Sequence, residues 1–172
     1  MQLASIRNAY EKFLEFIVIV LMAGLAIEVT VGVIFRTAGY SLVWYDEVAS
    51  ILLAWLTFYG AALAAHKRAH IGFSGLVDSL RPALRVPAMM LAEACVIGFF
   101  ILLAYVGWGV MDVLATDFLV SIPQVSVKYT QSVIPISAVL FVIAELFALP
   151  HLLAQARRPD MLRREPAYEV NP

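Results

Sequence analysis

The sequence predicts an all-α membrane protein with four transmembrane helices, and three observations support that prediction. The 172 residues are 62% hydrophobic and only 15% charged, with a mean hydropathy of +0.86, whereas a soluble domain has roughly 45–50% apolar and about 25% charged residues. Four apolar segments are each long enough to cross a bilayer core of about 30 Å, which takes about 20 helical residues. The basic residues are also unevenly divided among the connections.

The four spans are predicted to form one membrane domain over residues 1–172. A helix satisfies all its backbone hydrogen bonds internally, which makes it the natural structure for an apolar segment in lipid. The spans cover about residues 13–35, 46–66, 86–111 and 129–153, and residues 154–172 follow as a cytoplasmic tail.

The positions of lysine and arginine predict the orientation. Ten of the 12 basic residues lie in the two tails or between the second and third spans, and only Arg36 and Lys128 lie in the other two connections. Cytoplasmic segments carry the excess of basic residues. We therefore expect both termini in the cytoplasm, with the chain in the bacterial inner membrane.

A short amphipathic helix is predicted between the second and third spans. Apolar residues recur there at three- and four-residue spacing, which is typical of a helix that lies at the membrane interface. These residues are Phe73, Leu76, Val77, Leu80 and Leu84.

Glu28 is the ionisable residue deepest in a predicted span, where a charge costs roughly 2.5–3.5 kcal/mol on insertion scales. It could belong to a proton or ion relay, but no second carboxylate follows at three or four residues. We favour a protonated carboxyl, or one hydrogen-bonded to a neighbouring helix or subunit. Glu93 and Glu145 lie toward the cytoplasmic ends of their spans, and we expect structural roles for them.

Three charged residues flank the first connection. Arg36 ends the first helix, and Asp46 and Glu47 begin the second, so a tight turn places them at one depth. One hypothesis pairs Arg36 with Glu47 or Asp46, while both carboxylates favour the positive N-terminus of the second helix. The alternative is three solvated charges at the interface.

The sequence gives little support to a cofactor or an enzyme. His66 and His70 stand four residues apart, a spacing that metal and haem ligands use, but haem in a membrane bundle takes histidines from facing helices. Cys95 lies in an apolar run, where a buried, unreactive thiol is expected. We therefore expect no metal, no cofactor and, without a nucleophile elbow or phosphate loop, no enzymatic activity. A nucleic-acid partner is not expected either, because no basic stripe is present.

Aromatic residues and small residues have structural interpretations. Six aromatic residues lie mostly near span ends, as in the aromatic belts of membrane proteins: Trp44, Tyr45, Trp55, Tyr105, Trp108 and Tyr129. The step from Gly60 to Ala64 could allow a close approach of two helices. Pro135 and Pro150 are expected near the ends of the fourth span, where a missing N–H costs least.

Two sets of motifs follow one another in a fixed order. The first half holds Phe35-Arg36, Trp44, Asp46-Glu47, Trp55, Phe58, Gly60 and His70-Ile71; the second half holds Ile122-Pro123, Tyr129 and Ile134-Pro135-Ile136. This ordered set resembles the small permease (DctQ-like) subunit of tripartite ATP-independent periplasmic (TRAP) transporters, over about Phe13 to Leu153. Ser137 stands where the family usually has Gly, and Ile134 where it has Leu.

The resemblance implies a heterodimer with a larger permease subunit that holds the substrate and sodium sites, supplied by a periplasmic substrate-binding protein. Such systems carry organic acids by symport, and the small subunit resembles a scaffold against which the large subunit makes an elevator motion. No catalytic or substrate-binding residue is carried over. The candidates for structural or partner-facing roles are Arg36, Trp44, Asp46, Glu47, Gly60, His70, Glu28 and Pro135.

Two other functions fit four spans. A haem-binding anchor of a respiratory complex would show haem absorbance that is lost when His66 or His70 is changed. A stand-alone small transporter or channel would give flux from the chain alone and would require Glu28.

Overall fold

The computed structural model of the chain describes residues 2–67 and 82–156. Within these ranges the helices are α1 Gln2–Thr37, α2 Tyr45–Lys67, α3 Pro82–Leu114, α4 Val127–Gln131 and α5 Val133–Ala156. Four stretches are long and apolar enough to cross a membrane: Ser5–Thr37, Tyr45–Lys67, Val86–Leu114 and Val127–Pro150. The predicted all-α architecture with four candidate spans is confirmed.

The observed helices depart from the predicted spans where polar residues and prolines intervene. α1 begins at Gln2 and α3 at Pro82, because a helix continues beyond the apolar stretch that crosses the membrane. The fourth span is divided at Ser132 into α4 and α5. Pro135 explains the division, since it has no N–H to donate to the carbonyl of Gln131. α5 also continues through Pro150, which lies inside the helix.

Two predictions fall on residues that the structure does not describe. The amphipathic interfacial helix lies mostly within residues 68–81, and His70 lies there too. Leu84, the last residue of the amphipathic pattern, belongs to α3 and is exposed.

The spanning helices pack in an open row. α1 packs on α2, α2 on α5, and α5 on α3, and among the described helices α1 and α3 make no comparable contact. α5 has neighbours on both sides, and 39% of its most apolar window is buried, against 6%, 11% and 0% for α1, α2 and α3. The row therefore leaves most of the surface of α1 and α3 open to lipid or to another protein.

The buried core joins α1, α2 and α5. Lipid tails are as apolar as leucine, so helices associate in a bilayer through close van der Waals packing, which small residues allow. Phe100 of α3 stacks on Phe141 of α5, with ring centroids 3.7 Å apart. The core residues are Leu14, Ala62, Ala65, Phe141 and Ala144.

α1 ends in a Schellman motif. The amide of Tyr40 donates to the carbonyl of Phe35 at 2.9 Å, and the amide of Gly39 donates to that of Arg36 at 3.2 Å. Gly39 has a φ of 86°, the left-handed conformation that glycine adopts without a Cβ penalty. The chain can therefore reverse direction within a short connection before α2.

Two glycines allow close contacts between helices. A Cβ added at Gly32 of α1 would overlap the ring of Tyr45, the first residue of α2. A Cβ added at Gly107 of α3 would lie 3.3 Å from Cδ of Pro135 in α5. The packing at Gly32 thus depends on the missing side chain, whereas a Cβ at Gly107 would make only a tight contact.

Candidate functional site

Polar side chains of the described residues gather at the two ends of the helix row. The end that holds the connections 38–44 and 115–126 is called the loop end. The opposite end, where α2 finishes at Lys67, is called the tail end.

Glu47 ties the first turn of α2 to the connection between α3 and α4. Its carboxylate accepts hydrogen bonds from the amide of Val120 at 3.2 Å, the amide of Ser121 at 2.8 Å, and the Ser121 hydroxyl. Hydrogen bonds to an ionised acceptor are stronger than those between neutral groups. Glu47 therefore holds a segment that lies more than 70 residues away in the sequence.

The connection that Glu47 holds has its own internal structure. The amide of Leu119 donates to the carbonyl of Val125 at 3.0 Å, and the amide of Val127 donates to that of Asp117 at 2.9 Å. Ser126 then caps α4 by accepting a hydrogen bond from the Lys128 amide. The carboxylate of Glu47 thus binds a compact turn.

Two further contacts lie beside α4 at the loop end. The indole Nε1 of Trp55 in α2 donates to the carbonyl of Thr130 at 2.7 Å. Nζ of Lys128 lies 3.7 Å from Oδ1 of Asp112 at the end of α3. α4 is therefore linked to α2 on one side and to α3 on the other.

An ion-pair cluster joins α1 to α2 at the tail end. Lys67 pairs with Glu15 and lies 3.4 Å from the carboxylate of Glu11. These side chains are partly exposed, and ion pairs of that kind are usually weak. They join the last turn of α2 to the first half of α1, and so they favour one register of α1 against α2.

His66 is enclosed by aromatic rings beside this cluster. Its side chain is 3% exposed, and its ring centroid lies 5.2 Å from that of Tyr10 and 6.3 Å from that of Phe147. The Tyr10 hydroxyl donates to the carbonyl of Leu140 at 2.6 Å. This enclosure leaves little room for a haem plane at His66.

The ion pair considered for Arg36 is not formed in the part of the chain that the structure describes. Arg36 is exposed in the last turn of α1, and Asp46 is exposed in the first turn of α2. The carboxylate of Glu47 is used by Val120 and Ser121 instead. Arg36 and Asp46 thus fit the solvated alternative, whereas Glu47 has a structural partner.

The other candidates are scattered over the row. Both carboxyl oxygens of Glu28 are buried and have no hydrogen-bond partner among the described residues. The carbonyl of Trp44 accepts the first amide bond of α2. Pro135 is fully buried at the start of α5. A Cβ added at Gly60 would have nothing within 4 Å, so Gly60 faces an open side of α2.

The expected burial of Cys95 is wrong. Cys95 is exposed on α3, because α3 packs only on its α5 side. Within the described ranges, no group of three or more His, Cys, Asp or Glu side chains has a metal-binding arrangement.

The partners Ser121 and Thr130 were not predicted. Each is joined to α2 by a hydrogen bond across more than 70 residues, and neither belongs to a local pattern. The available signal for Ser121 was the pair of carboxylates at the start of α2, for which the two hypotheses were a pair with Arg36 and solvation at the interface.

Most of the chain matches a known protein family. Residues 25–157 match the family described as tripartite ATP-independent periplasmic transporters, DctQ component. The chain belongs to this family. No curated protein matches it closely. As a DctQ component, the chain is a small membrane component of a TRAP transporter, and its family is one of transporter components rather than enzymes.

Proposed function

We propose that the chain is the small permease subunit of a sodium-coupled TRAP transporter for organic acids. It forms a heterodimer with a large permease subunit that carries the substrate and sodium sites, and a periplasmic protein delivers the solute. Membership in the DctQ family supports this assignment. The chain itself braces the large subunit in the bacterial inner membrane while the transport domain of that subunit moves.

The open row of helices is the observation that best supports a bracing role. A helix with one neighbour in a row presents most of its circumference outward, and α3 has no buried residue in its most apolar window. Its exposed side chains are large and apolar, and Phe99, Leu102 and Val106 recur at three- and four-residue spacing, so they share one face. Such a face can pack against either lipid or a large membrane partner.

The ties at both ends support a rigid brace. At the loop end Glu47 and Trp55 connect α2 to the segment around α4, and at the tail end Lys67 connects α2 to α1. A scaffold must keep its shape while its partner moves, and contacts at both ends of a helix oppose tilting. α2 is held in this way at both ends.

The proposed orientation places the tail end in the cytoplasm. Lys67 closes α2 there, Arg68 and Arg81 follow in the connection, and Arg85 lies in the first turn of α3, in agreement with the positive-inside rule. Reporter fusions at residue 1 and residue 172 should both give cytoplasmic signals. A periplasmic signal from either terminus would contradict the orientation.

Co-purification with flux measurement tests the function. The tagged chain, expressed with a candidate large permease subunit, should purify with it in one complex, and proteoliposomes of the chain alone should give no sodium-dependent uptake of organic acids. Glu28→Gln serves as the control variant, because a stand-alone carrier that uses Glu28 would lose flux in it. Robust uptake by the chain alone would refute the proposal.

The haem-anchor alternative is tested in the same preparation. His66 is enclosed by Tyr10 and Phe147, so we expect no haem absorbance. A Soret band that disappears in His66→Ala would favour the alternative.

A further inference from the structure

A cleft opens at the loop end, between α3 and the segment of α4 and α5. Its volume is about 270 Å³. α3 and α5 are in close contact at Gly107 and Pro135, and the cleft lies on the loop-end side of that contact. It is lined by Trp108, Met111, Asp112, Lys128, Tyr129, Ser132, Pro135 and Ile136.

The cleft carries one cation and one anion. Nζ of Lys128 lies 3.7 Å from Oδ1 of Asp112, and their side chains are 42% and 93% exposed. Exposed pairs at such a distance are weakly held. A ligand that bears both charges can therefore insert between them, and each side chain then keeps an opposite charge as its partner.

The depth of the cleft matches the headgroup level of a bilayer. Trp108 and Tyr129 line it and are 68% and 70% exposed, and both residue types concentrate at membrane interfaces. Asp112 and Lys128 lie in the last and first turns of two apolar spans, at the loop end. Ile136, one turn beyond Ser132 on α5, extends the lining toward the bilayer core, where an acyl chain would lie.

We propose that this cleft binds the headgroup of phosphatidylethanolamine. The phosphate lies against the ammonium of Lys128, and the primary ammonium of the ethanolamine donates to the carboxylate of Asp112. The two headgroup charges are separated only by a short ethylene bridge, which matches a single Lys–Asp pair. The acyl chains follow the apolar surface between α3 and α5.

The charge pair selects among common phospholipids. A quaternary choline ammonium has no N–H and cannot donate to Asp112, whereas a primary ammonium has three donors. Phosphatidylglycerol has a phosphate for Lys128 but brings no cation, so its net negative charge meets the carboxylate of Asp112 unpaired. Both lipids should therefore bind more weakly than phosphatidylethanolamine with the same acyl chains.

Quenching of Trp108 fluorescence by brominated lipids tests the proposal. The full-length chain is placed in phosphatidylcholine vesicles that contain a small fraction of brominated phosphatidylethanolamine, phosphatidylcholine or phosphatidylglycerol. Subtracting the signal of Trp108→Phe isolates the emission of Trp108. Brominated phosphatidylethanolamine should reach half-quenching at a mole fraction about three- to tenfold lower than brominated phosphatidylcholine, the factor that one net hydrogen bond is worth.

Two variants and a matched control locate the selectivity. Asp112→Asn should remove the preference for phosphatidylethanolamine over phosphatidylcholine, and Lys128→Gln should weaken binding of every phospholipid. Asp117→Asn removes an exposed carboxylate that does not line the cleft and should leave the preference unchanged. Equal quenching by the three lipids in the wild-type chain, stronger quenching by phosphatidylglycerol, or a preference that persists in Asp112→Asn would each overturn the proposal.

Discussion

Gly32→Ala tests whether the packing of α1 on α2 depends on a missing Cβ. The added methyl group would overlap three carbons of the Tyr45 ring, well inside the 3.5–4.0 Å or so at which carbon atoms normally meet. The overlap includes Cδ2, which lies near the Tyr45 backbone, so a small shift of the ring tip is not enough. The whole ring must therefore move away from the surface of α1. Overpacking of this kind costs about 1–3 kcal/mol.

Two other helical glycines provide a graded comparison. Every Gly→Ala change inside a helix gains about 1 kcal/mol in helix propensity, and this gain is common to the series. A Cβ at Gly24 meets nothing within 4 Å, and one at Gly107 lies 3.3 Å from Pro135. We therefore expect Gly24→Ala to stabilise the fold, Gly107→Ala to be close to neutral, and Gly32→Ala to destabilise it.

Reversible unfolding in mixed micelles, followed by circular dichroism, measures the difference. Gly32→Ala should differ from Gly24→Ala by about 1–3 kcal/mol, a factor of roughly 5–150 in the unfolding equilibrium constant. Adding Tyr45→Ala to both variants should abolish that difference. If the single variants Gly32→Ala and Gly24→Ala, which both keep Tyr45, unfold alike, the close approach of α1 and α2 does not contribute to stability.

Three further predictions concern the polar ties. Glu47→Ala should accelerate amide hydrogen exchange in residues 118–126. The matched variant Asp46→Ala, which removes the neighbouring carboxylate, should not. Equal exchange rates in the two variants would contradict the role of Glu47. Trp55→Phe should lower the free energy of unfolding by about 1 kcal/mol, because the carbonyl of Thr130 loses its donor, and an unchanged midpoint would argue against that bond. Lys67→Gln should lower the unfolding midpoint at low salt only, since salt screens exposed ion pairs; an equal effect at high salt would contradict a surface pair.

The number of spans could be predicted because apolar length is a local property of the sequence. Each span contains enough consecutive apolar residues to be recognised without its neighbours. The division of the fourth span at Ser132 depends on one proline, Pro135, whose effect on the preceding turn is also local. The prediction placed Pro135 at the end of a longer helix and therefore missed the break.

The packing faces could not be predicted from small residues alone. The step from Gly60 to Ala64 suggested a close approach, yet the space around Gly60 is open, whereas Ala62 and Ala65 of the same helix are buried. Small residues occur on more than one face of α2. The register against α5 decides which of those faces is used, and that register is set by contacts distant in sequence.

The contacts distant in sequence also explain why α2 organises the row. Apolar packing discriminates poorly between alternative helix orders in a bilayer, because lipid satisfies an apolar face almost as well as a neighbouring helix does. Polar ties discriminate better, since a buried donor or acceptor that loses its partner is costly. Three of the ties described above start on α2, at Glu47, Trp55 and Lys67, and those of Glu47 and Trp55 are partly buried. Changes on α2 should therefore disturb the row itself, whereas changes on the outward face of α3 should disturb only what the row binds.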